Sequence, residues 1–151
     1  MGSRTDVTAR AVIECAADAI VAFSTDRTVM LWNPAAERMF GWAAAEILGL
    51  EPQIIPEELK AEHNAVLERV RGGGQISFAT RRIRKDGTII EIEVTSSDVD
   101  VDGRECRIAH LHDVTERNRA AAEVARIEPS PTARRVTRPR RTRPRGSARR
   151  T

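Results

Sequence analysis

Apolar side chains recur along this chain with two different periods, and each switch between them marks the start of a new element. Val7, Ala11 and Cys15 share one helical stripe and predict a helix over Val7–Ala17, with Asp6 as its cap. Ala19–Ser24 reads as a short apolar strand, Asp26-Arg27 as a turn, and Thr28–Trp32 as the antiparallel partner. Asn33 can accept from an orphan amide of a following helix, and Pro34 suits the first helical position, where no amide is needed. Ala35, Ala36, Met39 and Phe40 continue at helical spacing until Gly41. Ala44–Leu48 makes one more helical turn, ended by Gly49.

A longer helix is expected from Pro56, with Leu59, His63, Val66, Leu67 and Val70 on one stripe, broken by Gly72-Gly73-Gly74. Ile76–Arg84 and Thr88–Ser97 alternate as strands around Lys85-Asp86-Gly87, an Asp-Gly hairpin turn. Asp102-Gly103 is a second such turn, leading into a strand over Arg104–Val114, and Thr115–Ile127 is an alanine-rich helix. The order β-β-α-α-α-β-β-β predicts an α+β domain. It has a five-stranded antiparallel sheet, helices on one face, and flanking helices at the N- and C-terminal ends.

Charge divides the chain in two. Of its 151 residues, the 23 from 129 onward carry nine arginines, four prolines and no acid. The net charge of +3 therefore leaves 16 basic against 22 acidic side chains in residues 1–128, a net of −6. Residues 129–151 have almost nothing apolar to bury and are expected to be disordered. No run approaches the ~18 consecutive apolar residues of a membrane span, and the N-terminus has no apolar core like a signal peptide. Cys15 and Cys106 form neither a metal-ligand spacing nor a disulfide framework, so a cytoplasmic, reducing location is expected.

Five ordered blocks carry a family resemblance. They are Asp18-Ala19-Ile20-Val21; Trp32-Asn33-Pro34-Ala35-Ala36-Glu37 with Phe40-Gly41-Trp42; Ala45-Glu46-Ile47-Leu48-Gly49; Arg84-Lys85-Asp86-Gly87; and Asp113-Val114-Thr115-Glu116-Arg117. Together they resemble the PAS sensor family over roughly residues 6–128. One departure is Ala43, where the family often places Ser or Thr as a helix cap; its loss should cost about 1 kcal/mol. The resemblance implies an N-terminal flanking helix over 1–17, a PAS domain over 18–114, and a C-terminal signalling helix over 115–128 that precedes the 129–151 tail. It further implies a sheet wrapped around a small pocket, with Asp113 and Thr115 at the signal exit. The expected role is a sensory or protein-interaction module, here without an output domain of its own.

Within that resemblance, His63 is the candidate haem axial ligand, because it lies on the stripe that should face the pocket. The distal arginine of the oxygen-sensing haem branch falls near Phe78 here, which argues against oxygen sensing. The alternative for His63 is a half-buried, hydrogen-bonded ring. The light-sensing flavin branch needs a cysteine in the middle helices, and none lies between Cys15 and Cys106. Non-covalent flavin, a small ligand or an unoccupied apolar core remain as readings, the last being the leading expectation.

His110 and His112 share one strand face but lack a third metal ligand in the sequence. The run around them superficially resembles a histidine-kinase phosphoacceptor motif, without the ATP-binding domain that motif needs. There is no phosphate loop, nucleophile elbow or recognisable carboxylate pair, so no enzyme is expected. Glu57-Glu58 and Glu91/Glu93 read as solvated charges.

Three partners come into view. Val114, Ala121, Val124 and Ile127 make a short seam that, with the first helix, suits a homodimer or another signalling protein. The Arg134–Arg150 tail suits salt-sensitive contact with nucleic acid, as in a transcriptional regulator. The tail reads equally as a solvated extension, or as the remnant of a longer sensor whose output domain was lost.

Overall fold

The computed structural model of the protein describes residues 4–71 and 74–127. Five antiparallel strands lie in the order β2-β1-β5-β4-β3. These are β1 (Ala19–Ser24), β2 (Val29–Trp32), β3 (Gln75–Ile83), β4 (Ile89–Val101) and β5 (Arg104–Asp113). Because β2 and β3 occupy opposite edges, the chain between them must cross one face of the sheet. It does so as α2 (Pro34–Phe40), α3 (Ala44–Ile47), a 3-10 turn (Glu57–Leu59) and α4 (Lys60–Val70). That crossing is why the helices gather on one side.

The alternation of side chains along the strands decides which face they cover. Ala19, Val21, Ile90, Ile92, Val94, Ala109 and Leu111 point inward and are buried beneath Phe40, Ile47 and Ile54. The register places Val94 opposite Leu111, Ala109 opposite both Ser96 and Val21, and Phe78 opposite Val94, so one apolar surface spans four strands. Trp32 and Phe40 meet with ring centroids 5.3 Å apart.

Asn33 connects the elements on which this packing depends. It is 3% exposed, and its amide makes four hydrogen bonds, the full set available to it. Oδ1 accepts from Ala36 N at 2.9 Å, capping α2, and from Ile20 N at 3.0 Å in β1. Nδ2 donates to Ile13 O at 3.0 Å and to Asp18 O at 3.1 Å, tying down α1 (Arg4–Cys15) and the segment after it. Gly41 ends α2 at φ 79°, and a Cβ there would sit 3.5 Å from that of Lys85. Close approach lets Lys85 N donate to Phe40 O at 2.8 Å, seating the β3–β4 hairpin on the end of α2.

Several boundaries differ from the sequence reading. The first helix runs Arg4–Cys15, so Asp6 lies in its first turn rather than ahead of it, and no α1 residue is buried. The helix expected from Pro56 opens as a 3-10 turn. β4 continues past Ser97 to Val101, because pairing with β5 outweighs the low strand preference of Asp98 and Asp100. The Asp102-Gly103 turn has φ 52° and 78°, the pattern of a two-residue hairpin connection. At Ala43 the missing cap oxygen is offset from elsewhere. Glu46 Oε2 accepts from Ala43 N at 2.9 Å, and Glu37 Oε2 accepts from Ala44 N at 2.8 Å.

Candidate ligand-binding site

The sheet and the crossing helices do not close on each other completely. Between them lies a cavity of about 430 Å³, within the ~300–1,000 Å³ range of small-molecule sites. Val21, Phe78, Val94, Ala109 and Leu111 form its floor, with Ile54, Ile55, His63 and Leu67 above. The α4 stripe read from sequence does face inward. Leu59, His63, Val66 and Leu67 are half-buried along it, so the roof is only partly sealed from solvent.

Two arginines enter from the sheet, in contrasting states. Arg107 on β5 meets Asp98 on β4 through both Nε at 2.7 Å and Nη2 at 2.8 Å, and Asp98 is nearly buried. This is a bidentate, self-compensated pair. Arg82 on β3 is 3% exposed and pairs with no carboxylate among the described residues. Its Nη1 donates to Arg81 O at 2.8 Å and lies 3.5 Å from Thr80 Oγ1, while Nη2 stands 3.3 Å from Nδ1 of His63. Burial lowers the Arg82 pKa to about 10 against a partial offset from Glu62. Burial, then Arg82, then Arg27 and Arg107, hold the His63 ring down at about 4, so it is neutral at pH 7.

This contact bears on haem. A guanidinium only donates, so Nδ1 of His63 must accept and the ring proton sits on Nε2. Iron held through Nε2 needs the opposite tautomer, with Nδ1–H given to an acceptor. Haem ligation would therefore set an N–H against an N–H beside a buried cation. As arranged, His63 and Arg82 do not fit axial ligation. Phe78 occupies the cavity floor, as its strand position implies.

At the exit, the sheet and α5 (Thr115–Ile127) are joined mainly through Glu91 of β4. Glu91 N donates to Thr115 Oγ1 at 3.0 Å, and Glu91 O accepts from Val114 N at 2.9 Å. Asp113 Oδ1 accepts from Thr115 N at 2.9 Å, starting the helix. Glu91 Oε2 also accepts from Asn118 at 2.6 Å, and Glu93 pairs with Arg117. Glu93 is exposed, as expected of a solvated charge, but both glutamates also pair with the first turns of α5. Val114 is 2% exposed and belongs to the core, so it drops out of the expected seam, whereas Val124 stays 54% exposed.

His110 and His112 stand on the opposite face of the sheet and both reach Asp18, at 3.1 and 2.7 Å. No group of three side chains able to hold a metal ion occurs among the described residues. Arg134–Arg150 lies outside them. Sequence reasoning missed Arg82, Ser96 and the Asp98–Arg107 pair. The period-2 pattern Ile76, Phe78, Thr80, Arg82 does place Arg82 on the inner face.

Comparison with known proteins agrees with this architecture. The sensor protein FixL of Bradyrhizobium diazoefficiens is 25% identical over 128 residues, which cover 79% of this chain and 25% of that protein. This chain thus spans about a quarter of that relative's length. An RNA-binding light-oxygen-voltage receptor superposes with a TM-score of 0.69 at 27% identity, covering 82% of this chain and 37% of that one. The PAS domain of a Colwellia psychrerythraea protein superposes at 0.67 with 20% identity, covering 74% of this chain and 98% of its own, and shows the shared fold. A family profile described as the PAS fold matches residues 9–114, so this chain belongs to the PAS family.

Proposed function

We propose that this PAS domain is a sensory and protein-interaction module of signal transduction, in which a small ligand occupies the cavity and α5 reports its presence to a partner. The observation that carries the reading is the Glu91–Thr115 junction. Through it β4, which lines the cavity with Val94 and Ser96, also holds the first turn of α5. A ligand that shifts β4 alters the footing of α5, whose residues from Glu116 to Arg126 are all exposed.

The partner we favour is a second copy or another signalling protein. Supporting this, Val7 and Val12 on α1 are 66% and 63% exposed, and Val124 on α5 is also uncovered. No helix among the described residues is long and apolar enough to cross a membrane, which is compatible with a cytoplasmic place. We assign no catalytic role to the domain. A haem sensor through His63 is the rival reading. Titration with haemin decides it: a Soret band lost in His63→Ala supports haem, whereas no uptake removes it.

Filling the cavity in place of a ligand tests the main reading. Ser96→Leu adds apolar volume to the cavity wall. Amide hydrogen exchange over Thr115–Ile127 should change at least several-fold in this variant. A change confined to the cavity strands contradicts the reading.

A further inference from the structure

Two polar groups lining the cavity are incompletely partnered among the described residues, and they stand at different positions along its floor. Arg82 is one. Its Nη1 is satisfied by Arg81 O at 2.8 Å and Glu62 offsets part of its charge, but Nη2 reaches only the ring of His63 and Nε meets no acceptor among the described residues. Nε and Nη2 are the same two atoms that Arg107 turns on Asp98. Arg82 therefore presents the edge that grips a carboxylate, without the carboxylate. The second group is Ser96, 4% exposed, whose buried Oγ makes no hydrogen bond among the described residues. A buried polar group left unpaired costs about 1–3 kcal/mol, and an unpaired charge more. Both costs are removed if a ligand supplies the missing partners.

The strand register gives the separation. Arg82 leans back toward Thr80, which lies opposite Ile92, and Ser96 is four residues further along β4, a span of about 13 Å. Phe78, Val94 and Leu111 make the surface in between apolar.

We propose that the cavity takes a small organic carboxylate with an apolar body, its carboxylate received by Arg82 and a hydrogen-bonding group at its far end received by Ser96. His63, which is neutral, keeps the guanidinium in place without competing for the anion. The proposal rests on the reading of the cavity as a ligand site, and it names the ligand's chemistry.

Three probes that differ at one end each provide the test: para-(hydroxymethyl)benzoate, its neutral amide, and para-toluate, which lacks the hydroxyl. Calorimetric titration of the full chain should show the acid binding at least tenfold tighter than the amide. Arg82→Met should erase that preference and Arg82→Lys retain part of it, with melting curves confirming that both variants fold. Ser96→Ala should erase the preference for para-(hydroxymethyl)benzoate over para-toluate. Equal binding of acid and amide to the wild-type protein overturns the carboxylate assignment while leaving the cavity a ligand site. If none of the three probes binds, the assignment falls and the ligand-site reading falls with it.

Discussion

The guanidinium of Arg82 rests 3.3 Å from Nδ1 of His63, a buried cation facing a neutral ring, with only a partial electrostatic offset from Glu62 and no salt bridge among the described residues. Such an arrangement holds charge out of water at a net cost. Arg82→Met keeps the length and apolar stem of the side chain and removes the charge. It should raise the stability of the ligand-free protein by about 1–3 kcal/mol, read as a higher urea midpoint at unchanged slope. A lower midpoint would mean that Arg82 is already satisfied within the protein.

Protonation of His63 sets a pH dependence whose sign follows from the direction of its shift. Folding lowers its pKa from 6.5 to about 4, so between those values the unfolded chain binds more protons than the folded one. The contribution to stability is complete above pH 6.5 and is lost as pH falls toward 4. The loss should reach up to about 2 kcal/mol once screening of a half-exposed ring is allowed for. His63→Gln retains an acceptor for Arg82 and cannot titrate, so its urea midpoint should fall less than that of the wild type over the same interval.

Asn33 offers a test of the scaffold. Asn33→Ala removes the α2 cap and strands two carbonyls and two amides at once, at a cost of about 2–4 kcal/mol. Asn33→Asp keeps both accepting contacts but turns a carboxylate toward Ile13 O and Asp18 O. It should therefore be destabilised as well, with exchange of the α1 amides accelerated more than that of α2. Equal acceleration of the two helices would show that the donated bonds do not hold α1.

Local signals in the sequence account for how much of this was legible. Asn33-Pro34, Gly41 and the two Asp-Gly turns act through nearby backbone, so they announced α2 and both late hairpins without knowledge of the rest. The stripe of α4 likewise placed His63 toward the cavity. Arg82 stayed hidden because it reads as one of several charges in Arg81-Arg82-Ile83-Arg84-Lys85, and its burial depends on α4 crossing above it. The pairing of Glu91 and Glu93 with α5 is hidden for a similar reason: their partners, Asn118 and Arg117, lie more than 20 residues away. Asp18 joined His110 and His112 only through the pairing of β1 with β5.

Nine arginines in residues 129–151 make a separate, electrostatic prediction. Residues 1–151 should bind duplex DNA at low salt more tightly than residues 1–128, with an affinity that falls steeply as salt rises. Equal binding by the two chains in a salt titration would remove nucleic acid as a partner of the tail.

The link from cavity to exit helix is the central claim, and Thr115 is its narrowest point. Thr115→Val deletes the oxygen that accepts from Glu91 N, at about 1–2 kcal/mol. Amide exchange over Thr115–Ile127, measured in the wild type, Ser96→Leu, Thr115→Val and the double variant, isolates the coupling. We predict that Ser96→Leu changes α5 exchange at least several-fold in the wild-type background and has little further effect beside Thr115→Val. Unchanged α5 exchange in Ser96→Leu, with altered exchange in β4 and β5, would contradict the claim.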